Sequence, residues 1–116
     1  MSMLIRNGAV VTARETLRAD VLVENMRAGQ LERLGIGPEV LHGINPGLVI
    51  VRISGYGQDG SYRDKPAFGA IGEAMGGLRH LTGHPAGSSD LPPPRCGISI
   101  SDDLAGLAPQ NLCKAP

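Results

Sequence analysis

The sequence predicts an α/β fold, and three observations carry that reading. Residues 48–53 are a β-branched run, apolar on both faces, as a parallel strand covered by helices on each side requires. Phe68, Ile71, Met75 and Leu78 recur at spacings of three and four, the stripe of an amphipathic helix. Pro38 opens the segment PEVLHGI, and a proline suits the first helical position, where its missing N–H has no intrahelical partner to lose.

Residues 1–18 read as a separate N-terminal unit. There MLIRNGAVVTA alternates and then runs apolar around Asn7-Gly8, which predicts two short strands joined by a tight turn. From Asp20 the pattern becomes α/β. Residues 21–23 are a short strand of the buried type, and residues 29–34 offer one or two helical turns that Gly35 and Gly37 end. The helix from Pro38 stops at Asn45-Pro46, because the residue before a proline is pushed out of the α region. After the strand over 48–53, SGYGQDGSYRDKP is a polar, Gly-rich loop without periodicity. A helix over 67–78 follows, with Gly76-Gly77 allowing another backbone to come close. Residues 82–95 form a second loop whose triple proline is semi-rigid and extended. GISIS then predicts a short strand, and a helix starts at Asp102. Pro109 interrupts that helix in under two turns, leaving residues 108–116 as an unstructured tail.

Composition excludes more than it identifies. The chain has 116 residues, eleven basic and eleven acidic. Without a long apolar run or a charge excess, it predicts one soluble domain or less, no membrane span and no electrostatic attraction to nucleic acid or anionic lipid. Its first residues lack the apolar core of a secretory signal, so a cytoplasmic address is expected. Cys96 and Cys113 are expected as free thiols in a reducing compartment. No Cys/His set has zinc spacing, and no G-x-G-x-x-G sits between a strand and a helix with a following acid, so neither metal nor a dinucleotide is expected.

Three groups of residues are candidates for chemistry. Asp102 stands at a predicted strand-to-helix junction, where exposed N–H groups stabilise a carboxylate anion; the same placement suits a helix N-cap, with Ser101 and Asp103 as rivals. VENMRAGQLERLG follows a strand, and ligands of open α/β sheets bind beyond the carboxyl ends of strands. Asn25, Met26 and Arg33 lie in this block, and Arg33 beside Glu32 also reads as a solvated helix residue. The third group is Arg63, Lys65 and Phe68, in the polar loop and at the start of the next helix; a lone basic residue in such a loop is usually solvated.

In order and spacing, ADVLVENMRAG, LERLGIGPEVLHGINPGLVIVRISGYGQDGSYRDKPAFGAIGEAMGGLRHLTG and GISISDDLAG are similar to the family III CoA-transferases, the formyl-CoA and carnitine-CoA transferase type. The resemblance spans residues 19–107. It implies a partial Rossmann-like parallel sheet with flanking helices, acyl-CoA and a carboxylic acid as substrates, no permanently bound cofactor, and a homodimer of interlocked subunits. Asp102 matches the Asp of a G-D-x-x-A-G type motif and is the implied nucleophile, whose carboxylate attacks the thioester to give a mixed anhydride. VENMRAGQLERLG is similar to the family's V-E-N-F-R-P-G-x-[LM]-[DE]-[RK]-[LM]-G. By that match Asn25 and Met26 line the CoA site, and the permanently charged guanidinium of Arg33 suits a CoA phosphate. Met26 stands in place of the usual Phe and Ala28 in place of the usual Pro. Lys65 or Arg63 would meet a phosphate. Phe68-Gly69 stand where the related acyl-CoA racemases carry a His-Asp pair that moves the α-proton, which favours transferase over racemase.

The N-terminal strings LIRNG, VVTA and RADVLVE, within residues 1–24, resemble the opening of cyclic amidohydrolases of the dihydropyrimidinase and hydantoinase type. That family's metal-binding His-x-His pair is absent, since His42, His80 and His84 lack the spacing. The segment RADVLVE suits both families and marks a junction between them. The CoA-transferase resemblance ends near Leu107, so a truncated chain is expected. Without the family's small domain and glycine-rich lid, it would exclude water poorly and be nearly inactive. The alternatives are a non-catalytic chimeric or truncated product, or a fragment of racemase-like or hydantoinase-type origin.

Overall fold

The computed structural model describes residues 2–11 and 14–110. Along these the chain forms β1 (Ser2–Val11), β2 (Thr16–Glu24), α1 (Gln30–Arg33), α2 (Pro38–Ile44), β3 (Val49–Arg52), α3 (Gly69–Met75), α4 (Leu78–Leu81) and α5 (Ile100–Gln110). The strands make one sheet in the order β1-β2-β3. β2 and β3 run parallel, from Val21 opposite Val49 to Glu24 opposite Arg52, with α1 and α2 as the crossover that a parallel pair needs. β1 is antiparallel to β2, so the α/β fold is present with a mixed sheet.

The Asn7-Gly8 pair does not turn the chain. β1 passes straight through it, and the register with β2 shifts between Ile5 and Gly8, the signature of a bulge. Asn7 takes the left-handed conformation at φ 54, which asparagine tolerates better than most residues. Its N–H donates to Asp20 Oδ1 at 2.8 Å, and Arg18 Nη1 donates to its carbonyl at 3.3 Å. These cross-strand bonds to β2 hold the bulge inside a long ladder, where a hairpin of two very short strands would have left one edge of β2 unpaired.

Residues 97–101 are a second departure. Instead of a strand, Gly97 at φ 82 bends the chain and α5 begins at Ile100. The carbonyl of Ser99 accepts from Asp102 N–H at 2.9 Å and from Asp103 N–H at 3.0 Å. A lone strand here would have needed a sheet edge to pair with, whereas a helical turn satisfies its own backbone. α5 continues to Gln110, so Pro109 lies in its last turn and does not end the helix within two turns of Asp102. Residues 111–116, and with them Cys113 and most of the expected tail, lie outside the described residues; Cys96 carries a free thiol. The helix expected over 67–78 is shorter, ending at Met75, and after Gly77 at φ 80 an unexpected short helix, α4, begins at Leu78.

Burial is concentrated where β2 meets α1: Val21, Ala28 and Leu31 are buried, with Ala9 and Val10 from β1. β3 is half-buried at all four positions, less enclosed than its apolar sequence implies. At the end of β2 stands Glu24, only 1 % exposed. Its Oε1 accepts from Arg52 Nε at 2.8 Å and its Oε2 from the Met26 N–H at 2.6 Å. Arg52, the last residue of β3, also makes a two-pronged pair with Glu32 of α1, at 2.7 and 3.0 Å. Arg52 raises no desolvation problem for Glu24, because each oxygen of the buried carboxylate has a short donor. Hydrogen bonding to Arg52 holds the Glu32 carboxyl down to a pKa of about 2, from an ordinary 4.5.

Two outcomes follow from this corner. Arg52→Ala leaves a buried carboxylate short of its main partner and is expected to cost about 3 kcal/mol, read as a lowered midpoint in urea denaturation. Glu32 is depressed in the folded state, so its pairing contributes fully above pH 4.5 and is lost as the pH falls toward 2. Glu32→Gln should flatten the stability profile in that window, measured by denaturation at a series of pH values.

Candidate functional site

The carboxyl ends of β2 and β3 open into a cleft of about 460 Å³, the position at which parallel strands present ligand sites. Asn25 enters it directly after β2, and Ile53 and Ser54 directly after β3. The opposite wall is made where the start of α3 meets the first turns of α5, bringing Phe68, Gly69, Gly72, Ser101, Asp102 and Ala105 to the same space.

Small residues let those two helices come together. A Cβ placed on Gly69 would stand 2.6 Å from Asp102 Oδ2 and 3.0 Å from its Cγ, closer than atoms can sit. One on Gly72 would stand 3.0 Å from Ser101 Oγ and 3.1 Å from its Cβ. Gly55 plays a similar part after β3, since a Cβ there would collide with the Cβ of Ala67. The result is a carboxylate seated against bare backbone, open on its cleft side. A nucleophile requires such an unobstructed approach, and an N-cap does not. Ser99 holds the N-cap position, since its carbonyl accepts the first helical bonds from the N–H groups of residues 102 and 103, so Asp102 lies three residues into the helix rather than at its cap.

Asn25, Phe68 and Asp102 are therefore brought together. Met26, Arg33 and Lys65 are not among the residues lining this cleft. Met26 is half-buried, and its N–H serves Glu24. Arg33 is exposed in the last turn of α1. Lys65 places Nζ 3.9 Å from the centroid of the Tyr62 ring, a cation–π contact, and Tyr62 meets Tyr56 edge-to-face at 5.5 Å between centroids. Arg63 is exposed and 3.6 Å from Asp64. Ser54, Gly69, Gly72 and Ser101 went unpredicted as site residues. For the helical ones the signal was a spacing, Gly69 and Gly72 at three and Ser101 and Ala105 at four, each a small-residue stripe on one helix face; Ser54, in the loop after β3, had none. Among the described residues no group of three or more His, Cys, Asp or Glu could hold a metal ion, and no helix is long and apolar enough to cross a membrane.

Comparison with known proteins gives a consistent result. Residues 14–111 match the family described as CoA-transferase family III. Succinyl-CoA–D-citramalate CoA-transferase of Chloroflexus aurantiacus is 53% identical over 98 residues, which are 84% of this chain and 23% of that protein. Acetyl-CoA:oxalate CoA-transferase of Acetobacter aceti is 44% identical over 89 residues, 77% of this chain and 22% of that protein. Among solved structures, a CaiB/BaiF family protein from Brucella suis superposes with a TM-score of 0.65 at 31% identity, covering 79% of this chain and 24% of that one. The chain spans about a quarter of the length of the relatives it matches.

Gly69→Ala tests the seating of Asp102. The obstructed atom is the end of a flexible side chain, so the fold should persist while Asp102 turns to another staggered rotamer. NMR coupling constants reporting the Asp102 χ1 angle, compared before and after the substitution, measure this.

Proposed function

Because the chain belongs to CoA-transferase family III, we propose that its cleft carries the nucleophilic part of a site that moves CoA from an acyl-CoA to a carboxylic acid, with Asp102 as the attacking group. The observation that supports this most is the Asp102 carboxylate packed against Gly69 and facing a cleft shared with Asn25.

The chemistry runs through the two carbonyls that flank an anhydride oxygen. An Asp102 oxygen adds to the thioester carbonyl, the C–S bond breaks, and CoA leaves as thiolate with an acyl-aspartyl anhydride left behind. The thiolate then attacks the aspartyl carbonyl, releasing the donor acid and leaving CoA joined to Asp102 as a thioester. The acceptor carboxylate attacks that thioester, and the thiolate set free attacks the acceptor's own carbonyl in the new anhydride. Acceptor-CoA departs and the Asp102 carboxylate is regenerated. Each step exchanges one acyl C–O or C–S bond for another, so no oxidant or metal enters the balance. Asn25 can donate an amide N–H to the carbonyl oxygen that gains charge, and the Phe68 ring walls the acyl side.

Met26, Arg33 and Lys65 belong to the proposal as contacts along the CoA chain. The pantetheine arm separates the CoA phosphates from its sulfur, so basic residues outside the cleft suit those phosphates. The named relatives use citramalate and oxalate, both dicarboxylates, and we extend a dicarboxylic acceptor to this chain. We further propose that the chain alone binds CoA with little turnover, because a cleft this open admits water to the anhydride.

Two measurements test the reading. CoA should raise the thermal unfolding midpoint with rising concentration, since a ligand that binds only the folded state stabilises it by about 2.7 kcal/mol at a hundredfold excess over Kd. No shift at millimolar CoA would remove the assignment. With succinyl-CoA, mass spectrometry should find CoA joined covalently at Asp102, an adduct lost in Asp102→Asn.

A further inference from the structure

One buried charge near the cleft is not used by the proposed reaction. Glu73, on α3 one residue beyond Gly72, is 1 % exposed. Its Oε1 accepts from Arg95 Nη2 at 3.4 Å, and its Oε2 lies 3.8 Å from Arg79 Nε. Neither Oε2 nor Arg79 Nε has a hydrogen-bond partner among the described residues. A buried carboxylate with such long contacts adds little to stability, and a neutral isostere would serve a packed core as well. What this carboxylate does hold is connectivity. Arg79 lies on α4 just before the Pro-rich loop, and Arg95 lies just after it. The same base is closed a second time, where Thr82 Oγ1 donates to the Pro94 carbonyl at 3.3 Å. Beyond Arg95 the chain makes its left-handed bend at Gly97 and enters α5, so whatever fixes Arg95 fixes the approach of that helix.

We propose that Glu73 is a positioning residue that, through Arg95, sets how α5 docks on α3 and thereby where the Asp102 carboxylate stands over Gly69. This rests on the reading of Asp102 as the reacting group. α3 then meets α5 twice: directly, where Gly69 and Gly72 accept Ser101 and Asp102, and indirectly, through the Glu73 pairing that pins the entering chain. The direct contact is short-sided and glycine-lined, so it permits sliding. The ionic tether, five residues before α5 begins, restricts it.

Disulfide trapping reads this docking without any ligand. A Cβ at position 72 stands 3.1 Å from that of Ser101, close to the roughly 3.5–4.5 Å of a disulfide, so Gly72→Cys with Ser101→Cys should close rapidly in a Cys96→Ser, Cys113→Ser background. The rate of closure in a thiol buffer measures the effective concentration of one helix at the other. Adding Glu73→Gln or Arg95→Gln should slow closure by about fivefold or more, while Arg95→Lys, which keeps the charge, should recover most of the loss. Unfolding curves check that each variant is folded; Arg95 is half exposed, so its substitutions carry the test if Glu73→Gln does not fold. Closure within about twofold of the parent in the Arg95→Gln protein overturns the proposal. Trapping involves no CoA, so slowed closure with no CoA-dependent stabilisation would leave the tether standing and sink the reading of Asp102, and unchanged closure with a clear CoA shift would do the reverse.

Discussion

A carboxylate sealed from solvent at the end of the central strand governs this structure. Glu24 sits at the last residue of β2, and both of its oxygens are claimed, one by Arg52 at the last residue of β3 and one by the backbone of Met26. Burying a charge is tolerable only with such short, complete pairing. Three things are settled at once by it: the parallel register of β2 with β3, the level at which both strands stop, and the direction in which the chain leaves β2. Arg52 also reaches Glu32, so the crossover segment is tied to the same point. Asn25 is the next residue along, which is why it emerges into the cleft while its neighbour Met26 turns away from it.

The far wall of the cleft is built on the opposite principle. Where Glu24 is held by strong polar bonds, α3 and α5 meet through the absence of side chains at Gly69 and Gly72. That closeness seats Asp102 in the cleft and leaves its carboxylate unshielded, but such a contact has little to resist displacement. The charged pairs of Glu73 stand behind it at the base of the Pro-rich loop. The site thus combines a rigid side, made by strand ends, with a closely packed side whose placement is tethered from a distance. Much apolar surface stays exposed, including Phe68, Met75 and Leu104, in a chain that spans about a quarter of its relatives.

Several elements were legible because their signals are local. Pro38 starts α2 and Asn45-Pro46 ends it for reasons contained in a few residues. The strand around Val49–Arg52 is of the same kind. Asn7-Gly8 misled because the dipeptide that favours a tight turn also favours a bulge, and the choice between them was made by Asp20, a residue thirteen positions away. GISIS misled because alternation is a strand signal only if a sheet edge is within reach. At the site, Asp102, Asn25 and Phe68 were readable from motif order. Ser54 was not, since its place in the cleft comes only from where β3 stops.

Taken alone, the sequence determined the α/β class, the order of strands and helices from Asp20 as far as α3, and the family to which the chain belongs, because periodicity, proline and glycine positions and motif order are properties of neighbours along the chain. Only the tertiary structure decided that the sheet is mixed, that Glu24 rather than a solvated residue anchors it, and which candidates share a cleft. Those depend on distances between residues far apart in sequence: a carboxylate finds its arginine twenty-eight positions away, and a glycine makes room for an aspartate on another helix, through contacts that no local pattern encodes.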